Sequence, residues 1–264
     1  MYISYKKSKI HYCQYGSGPA LLVCLHGYGQ NVMAFAFLEK HLGQRFTLLA
    51  IDMPFHGQTK WNDALLFTPS DLYQIIISIN PNALNGFQLL GYSMGGRLAL
   101  SLYQQYPDMV KNIYLLAPDG LHKNRWYRLA TQTIPGNKLF KFTMHQPSWF
   151  LKMVRFGGQA KLLNKSVLKF VQYYLEDKQQ RENLYNRWTI LKSFTPNLVL
   201  IKRLLQNRET HIHMLFGEHD RIILYQKGEQ FAKGAAEKIR LHIVNAGHHI
   251  LSEKYIRFIM QLFE

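Results

Sequence analysis

The feature that most constrains the fold is a Gly-x-Ser-x-Gly pentapeptide at residues 91–95, between a strand-like run and a helix-like run. The apolar residues 87–91 predict a short buried strand, and residues 95–106 predict a helix. A sharp strand-to-helix turn of this kind exposes its serine at the top of a sheet, next to the positive end of the helix dipole. The same residues could also form a glycine-rich turn without chemistry, so the pentapeptide alone leaves the role of Ser93 open.

An acid and a histidine pair follow in chain order. The strand-like run 211–216 ends in Gly-Glu-His-Asp, which puts Asp220 on the loop at the carboxyl end of a predicted strand. The alternating run 239–244 leads into Gly247, His248 and His249. A serine hydroxyl becomes a nucleophile when a histidine accepts its proton and an acid orients that histidine. The order serine, aspartate, histidine therefore favours acyl-transfer chemistry.

A glycine-rich turn precedes these elements. The apolar run 20–25 predicts a strand that continues into His-Gly-Tyr-Gly at residues 26–29. Such a turn can aim a backbone N–H at a developing oxyanion, and the N–H of Met94 would be the second donor. Removing one donor of such a pair typically costs about 10²–10³ in kcat.

Together these segments resemble the α/β-hydrolase fold family. The resemblance covers about residues 1–120 and 210–264, and its motifs occur in the family's order at 26–29, 52–57, 91–96, 217–220 and 247–248. It implies that Ser93 is the nucleophile, His248 the general base and Asp220 the orienting acid. It also implies that the backbone amides of Tyr28 and Met94 form the oxyanion hole. The serine at position 93 disfavours the epoxide hydrolase and haloalkane dehalogenase branches of the family, which carry aspartate at the corresponding position.

Three nearby residues are alternatives for these roles. His249 and His219 are alternatives for the base, but the family places the base directly after the glycine, which favours His248. Asp119 follows an earlier strand where some family members carry their acid, so it is an alternative to Asp220.

The other histidines and the cysteines are interpreted as structural. His26 and His56 are expected to hold their turns by hydrogen bonds. Cys13 and Cys24 lie in strand-like runs and are interpreted as reduced residues of the core. No HExxH motif or clustered Cys/His spacing is present, so neither a metal nor another cofactor is expected.

The order of the predicted elements indicates an α/β fold with a doubly wound, mostly parallel sheet. The first two predicted strands are expected to form an antiparallel hairpin at one edge. Strands are predicted near 10–15, 20–25, 46–51, 87–91, 112–117, 211–216 and 239–244, and helices near 32–42, 69–79, 95–106, 225–233 and 250–263.

Between the two halves of this core, residues 121–209 are predicted to form an inserted helical cap, with the core domain at 1–120 and 210–264. An amphipathic helix is predicted over residues 160–175, and Pro147 suits the first turn of another. Aromatic residues of the cap are expected to shape an apolar acyl pocket.

The positive charge is concentrated in the cap. Residues 121–210 hold 17 Lys and Arg against 4 Asp and Glu, so they carry most of the chain's net charge of +16. The favoured explanation is a solvated basic face. Steering of an anionic substrate and docking on an anionic lipid surface are alternatives. No nucleic-acid partner is expected, because no recognised nucleic-acid-binding motif is present.

Arg97 lies one helical turn after Ser93 and is either a packing arginine or a substrate-binding one. Residues 91–97 are similar to the serine turn of menaquinone-pathway synthases of this fold, in which arginines hold carboxylates, and this similarity suggests the second role.

Taken together, the motifs predict a carboxylic ester hydrolase acting on a small ester or acyl compound. A lyase of the synthase type and a non-catalytic small-molecule receptor on the same fold are the alternatives.

The sequence shows no apolar run of about 20 residues, and no apolar signal-peptide core follows residues 1–7. A cytoplasmic location is therefore expected.

Overall fold

One eight-stranded sheet organises the computed structural model, which describes residues 1–122, 124–159, 175 and 177–264. In chain order the strands are β1 (Tyr2–Tyr5), β2 (Ser8–Tyr15), β3 (Ala20–Leu25), β4 (Phe46–Ile51), β5 (Phe87–Tyr92), β6 (Val110–Leu116), β7 (His211–Gly217) and β8 (Ile239–Val244). The spatial order is β1-β2-β4-β3-β5-β6-β7-β8. β2 pairs antiparallel with β1 and β4, and the remaining pairs are parallel. The predicted doubly wound, mostly parallel sheet is confirmed.

Helices lie between the strands and after them along the chain. They are α1 (Glu39–Leu42), α2 (Pro69–Ile79), α3 (Met94–Gln105), α4 (Arg125–Gln132), α5 (Ile134–His145), α6 (Ser148–Gln159), α7 (Lys178–Ile190), α8 (Leu198–Gln206), α9 (Tyr225–Ala232) and α10 (Ile256–Met260). Short 3-10 helices lie at Val32–Leu38, Pro81–Asn85, Pro107–Met109, Glu253–Tyr255 and Gln261–Phe263. None of these helices, within the described part of the chain, has both the length and the apolar character that crossing a bilayer requires.

The central strands read as continuous apolar runs because both faces of the sheet are covered. Residues 21–25 of β3 are all buried, as are residues 89–92 of β5. β3 and β5 are neighbours and parallel, so their carboxyl ends meet at the same edge of the sheet. In open parallel sheets this edge is where ligands bind.

The predicted hairpin between residues 10–15 and 20–25 is wrong. β3 has a parallel neighbour on each edge, β4 and β5, so it leaves no edge for β2. β2 instead pairs with β4 and forms its hairpin with β1 through a tight turn in which Lys6 takes a positive φ of 53°. Four residues with the pattern Tyr-Ile-Ser-Tyr were too short a run for the sequence to indicate β1.

Two predicted helices have a different form in the structure. The segment predicted near 32–42 is mainly 3-10 helix before the single turn of α1, and the one predicted near 250–263 consists of α10 between two 3-10 turns. The C-terminal segment nevertheless buries Ile259, Leu262 and Phe263. A 3-10 turn places residues i and i+3 on one side, so apolar spacing alone could not distinguish the two helix types.

The chain divides into two compact units. We call residues 1–63, 67–122 and 193–264 the core unit, and the described residues of 64–66 and 123–192 the insertion. Helix α8 belongs to the core unit, although it falls inside the predicted cap limits of 121–209. The amphipathic helix predicted over 160–175 lies, apart from residue 175, outside the described residues.

Within the insertion, α4, α5 and α7 are held together by hydrogen bonds and aromatic contacts. The hydroxyl of Tyr127 donates to the carbonyl oxygen of Trp188 at 3.1 Å, and the hydroxyl of Tyr185 donates to Oδ1 of Asn137 at 3.1 Å. The ring of Phe140 lies 5.6 Å from that of Trp188, measured between centroids. The insertion therefore has an organised interior of its own.

Candidate active site

Ser93 occupies a strained turn between β5 and α3. Its φ of 51° and ψ of −114° lie in a region that costs a non-glycine residue about 1–3 kcal/mol. Glycines on both sides make the turn possible: a Cβ on Gly95 would overlap the carbonyl oxygen of Leu25, and one on Gly91 would lie 2.6 Å from the carbonyl oxygen of Gly95. The predicted strand-turn-helix context of the pentapeptide is therefore present.

The end of β6 holds this turn in place. The N–H of Ser93 donates to the carbonyl oxygen of Leu116 at 2.9 Å. The carbonyl oxygen of Ser93 accepts from the N–H of Asp119 at 2.8 Å and from that of Gly96 at 2.9 Å. Backbone bonds to two segments thus fix the position of the Ser93 side chain.

The structure brings Ser93, His248 and Asp220 together, although 155 residues separate the serine from the histidine. Nε2 of His248 lies 3.0 Å from Oγ of Ser93, and Nδ1 lies 2.7 Å from Oδ2 of Asp220. An ionised carboxylate only accepts hydrogen bonds, so Nδ1 carries the proton and Nε2 is the acceptor that faces the serine hydroxyl. This is the tautomer that a general base requires.

Asp220 is buried, and both of its carboxylate oxygens accept hydrogen bonds. Its Oδ1 accepts from the N–H groups of Ile222 and Ile223 at 2.7 and 2.9 Å. Burial raises the pKa of this carboxyl, but the hydrogen bonds from His248, Ile223 and Ile222 outweigh burial and hold the pKa below its ordinary value. Asp220 is therefore an anion at neutral pH, as its position behind His248 requires.

Tyr92 adds a support that the sequence analysis missed. Its hydroxyl donates to the carbonyl oxygen of His248 at 3.1 Å, and the two rings lie 5.5 Å apart. Burial, and to a smaller extent the charge of Asp220, raises the pKa of Tyr92 to about 12, so the hydroxyl keeps its proton. Tyr92 lies inside the pentapeptide, but nothing in the sequence indicates a partner 156 residues away.

The two amides predicted to form the oxyanion hole lie at the carboxyl ends of neighbouring strands. Met94 is the first residue of α3, so its N–H has no acceptor within the helix. Tyr28 lies in the turn after β3. His26 fixes that turn, because its Nδ1 donates to the carbonyl oxygen of Gly27 at 2.8 Å while its Nε2 accepts from the N–H of Met53 at 3.1 Å. The oxyanion role of Tyr28 and Met94 stays a prediction.

Arg97 and Asp119 contact each other. Nε of Arg97 lies 3.4 Å from Oδ2 of Asp119, and the arginine side chain is 11% exposed. Oδ1 of Asp119 accepts from the N–H of Gly120 at 2.7 Å. The structure thus places Asp119 on Arg97, while Asp220 takes the position on His248. A substrate-binding role for Arg97 stays a prediction.

The neighbouring histidines take other positions. His249 is exposed, with its ring centroid 6.0 Å from that of His248, and His219 is exposed on the loop before Asp220. Nδ1 of His56 lies 2.9 Å from the carbonyl oxygen of Pro54. In the described ranges of the chain, no three His, Cys, Asp or Glu side chains are grouped so that they could hold a metal ion.

Comparison with known proteins relates this chain to a family. The model of a family described as the alpha/beta hydrolase fold matches residues 20–255. A Bacillus subtilis protein named uncharacterized hydrolase YugF is 23% identical in an alignment of 256 residues that covers 90% of this chain and 86% of that protein. The pimeloyl-acyl-carrier-protein methyl ester esterase of Nitrosomonas europaea is 31% identical over 110 residues, which are 42% of this chain and 41% of that enzyme.

Solved structures show the same architecture. A thermophilic esterase from Thermogutta terrifontis superposes with a TM-score of 0.68 at 14% identity, over 100% of this chain and 97% of that one. The alpha/beta hydrolase MGS-M2 from a deep-sea metagenome library superposes with a TM-score of 0.67 at 17% identity, over 100% and 96%. At these identities the likeness shows the fold alone.

Proposed function

The chain belongs to the alpha/beta hydrolase fold family, and from this membership we propose that it is a serine hydrolase that cleaves a carboxylic ester through an acyl-enzyme. The observation that carries the proposal is the hydrogen-bonded series Ser93–His248–Asp220, with its contacts of 3.0 and 2.7 Å. The methyl ester esterase among the similar sequences supports the choice of an ester.

In the first half-reaction, Oγ of Ser93 attacks the acyl carbon as its proton passes to Nε2 of His248. The carbonyl oxygen becomes an oxyanion, which the N–H groups of Tyr28 and Met94 stabilise. The charge on Asp220 stabilises the imidazolium and holds its Nδ1 proton. When the tetrahedral intermediate collapses, the alkoxide leaving group takes the proton from His248 and departs as an alcohol.

Water completes the reaction. His248 takes a proton from the water as its oxygen attacks the acyl-enzyme, and a second tetrahedral intermediate forms in the same oxyanion hole. Its collapse releases the carboxylic acid and returns the proton from His248 to Oγ of Ser93. Since the enzyme ends as it began, one ester and one water yield one acid and one alcohol.

The contact of Arg97 favours the hydrolase over the lyase alternative. A synthase-type reaction would use this arginine to hold a substrate carboxylate, but its guanidinium already faces the carboxylate of Asp119. Competition from a carboxylate at 3.4 Å weakens the attraction for another anion. Ester cleavage by Ser93 makes no demand on Arg97.

The test compares Ser93→Ala with Ser101→Ala, a change of a buried serine on α3, the helix that follows Ser93. On short p-nitrophenyl esters we expect Ser93→Ala to lose roughly 10⁶-fold in kcat, as other serine hydrolases do without their nucleophile. Ser101→Ala should keep the wild-type rate. Intact-mass measurement after mixing with ester should show an acyl adduct on the wild type and on Ser101→Ala. An unchanged rate in Ser93→Ala, or an adduct that persists in it, contradicts the proposal.

A further inference from the structure

The insertion contains an unusually long segment without acidic residues. Residues 123–175 hold ten Lys and Arg and no Asp or Glu, and all 16 acidic residues of the chain lie outside this segment. Basic side chains there have no neighbouring carboxylate along the chain to pair with. A concentration of one sign of charge on a surface attracts partners of the opposite sign.

Large apolar side chains are exposed in the same segment. Of the 18 exposed large hydrophobic residues in the described chain, eight lie between residues 126 and 156. Trp126 is 78% exposed, Ile134 76% and Phe156 72%, and the others are Leu129, Leu139, Phe142, Trp149 and Met153. Single exposed apolar residues are normal on a protein surface, but a concentration of them marks an interaction site.

These side chains follow helical spacing on three helices. Trp149, Met153 and Phe156 are at i, i+4 and i+7 on α6, while Trp126 and Leu129 on α4 and Leu139 and Phe142 on α5 are at i and i+3. Each helix also has buried residues: Thr131 on α4, Thr143 and Met144 on α5, and Val154 on α6. The exposed apolar residues are therefore additional to the side that each helix buries.

Exposed basic residues accompany them on every helix: Arg125 and Arg128 on α4, Lys138 and Lys141 on α5, and Lys152 on α6. Aromatic and aliphatic side chains alternate with basic ones in helices that lie in a membrane interface, where the apolar groups enter the acyl boundary and the cations meet lipid phosphates. Long basic side chains suit this position because their apolar stems can be buried while the charge stays at the headgroups.

We propose that α4, α5 and α6 form a docking surface for an anionic lipid bilayer. The charge of the surface matches an anionic headgroup layer, and the exposed Trp, Phe, Ile, Leu and Met side chains match the acyl region beneath it. The surface uses none of the residues of the Ser93 site. Docking therefore does not depend on the proposed esterase chemistry.

Other occupants fit this surface less well. In a twofold-symmetric contact with a second copy of the chain, the same basic residues would face one another and repel. A nucleic acid would meet the positive charge and could stack on tryptophan, but exposed Ile134, Leu129 and Met153 have no role on a phosphate backbone. An acidic protein would likewise meet the charge and leave most of the apolar residues in water.

The test is co-flotation of the full chain with vesicles of phosphatidylcholine alone and of phosphatidylcholine mixed with phosphatidylglycerol. We expect binding to the mixed vesicles, a much weaker association with the neutral ones, and a decrease in binding as salt rises. The tryptophan emission of the protein should shift to shorter wavelength on binding, because the exposed indole of Trp126 leaves water.

Two variants separate the parts of the surface. Trp126→Ser, Ile134→Ser and Phe156→Ser together should weaken binding by more than about tenfold, because apolar area contributes to interfacial affinity. Lys138→Glu with Lys141→Glu should weaken it by roughly 25-fold or more, since each basic residue near such a surface contributes about fivefold. The matched controls on the core unit should bind as the wild type does; they change exposed residues and are Met33→Ser, Leu84→Ser and Val199→Ser together, and Lys40→Glu with Lys233→Glu.

Thermal unfolding of every variant shows whether it is folded, and Ser93→Ala should bind vesicles like the wild type. The proposal is overturned if the wild type does not float with anionic vesicles, or if the core-unit controls lose as much binding as the insertion variants. It is also overturned if the charge variants lose binding while the apolar variants keep it. That result would indicate a soluble polyanion, such as a nucleic acid or an acidic protein, as the partner.

Discussion

The core unit and the insertion differ in whether their charged side chains find partners within the chain. In the core unit the buried carboxylates are satisfied: Oδ1 of Asp52 accepts from the N–H of Val32, and its Oδ2 contacts Nδ1 of His11 and the N–H of Gln58, each at 2.8 Å. Asp220 is satisfied in the same manner by His248 and two backbone amides. Residues 123–175, by contrast, contain no acidic residue at all.

The difference shows where each region makes its interactions. A buried charge is tolerated only when the surrounding chain supplies its partners, so the core unit holds its functional groups in fixed positions. An exposed basic and apolar surface has its natural partners outside the chain. We therefore expect changes in the core unit to affect chemistry and stability, and changes on the surface of α4, α5 and α6 to affect association.

After the loss of the serine itself, the largest expected effect is on the acid of the site. Asp220→Asn should lower kcat on an ester by about 10⁴-fold, because the amide no longer holds His248 in the tautomer that accepts the serine proton. The control is Asp119→Asn, which removes a carboxylate that contacts Arg97. Its kcat should stay within about tenfold of the wild-type value. A larger loss in Asp119→Asn than in Asp220→Asn, measured by steady-state kinetics, would assign the acid to the other strand.

The second effect compares one substitution in two environments. Leu48 in β4 is 0% exposed and Leu139 in α5 is 54% exposed. Leu48→Ala should lower the free energy of unfolding by about 2–5 kcal/mol, because it removes buried contacts and leaves a cavity. Leu139→Ala should change it by less than about 0.5 kcal/mol. Urea unfolding measures both, and equal losses would show that Leu139 belongs to a packed core.

The third effect concerns how the stability of the protein depends on pH in the acidic range. Burial raises the pKa of Asp71, but its hydrogen bonds with Lys6, Tyr5 and Thr68 outweigh burial and hold it below the ordinary value of 3.8. A carboxyl whose pKa is depressed by folding stabilises the native state above its unfolded-state pKa, and this contribution is lost as the pH falls through the folded-state value. Stability measured by urea unfolding should therefore fall as the pH drops below about 3.8. Asp71→Asn should reduce this pH dependence, and an unchanged slope would show that the carboxyl does not contribute.

Much of the core could be predicted because its signals are local. Parallel strands buried on both faces read as uninterrupted apolar runs, and the glycines around Ser93 are required by close backbone contacts. The pairing of β2 with β4 could not be predicted, because it depends on which edges β3 leaves open. The short strand β1 could not be identified either, since four residues carry too little periodicity.

The same distinction between local signals and tertiary arrangement applies to the residues of the candidate site. Motif order led to Ser93, Asp220 and His248, which the structure joins by hydrogen bonds. The contact between Arg97 and Asp119 and the hydroxyl of Tyr92 on His248 depend on how α3, β6 and β8 come together in space. Burial is also a tertiary property. The sequence showed that residues 121–210 were basic, but only the structure shows that Trp126 and its apolar neighbours are exposed beside those charges.

The smallest expected effects come from removing one hydrogen bond of the same kind in each unit. In both units a tyrosine hydroxyl donates to a backbone carbonyl at 3.1 Å. Tyr92 donates to the carbonyl of His248 in the core unit, and Tyr127 donates to that of Trp188 in the insertion. Tyr92→Phe and Tyr127→Phe should each lower the free energy of unfolding by about 1 kcal/mol, the net contribution of one such bond.

Their effects on activity should differ. Tyr92→Phe releases the backbone of His248, the proposed general base, so kcat should fall by a factor of up to about ten while KM changes little. Tyr127→Phe should leave kcat at the wild-type value, because the bond that it removes joins two helices of the insertion. Urea unfolding and steady-state kinetics on one ester, measured for both variants, test the pair. Equal losses of kcat would show that the insertion takes part in positioning the site, and the distinction between the two regions would then fail.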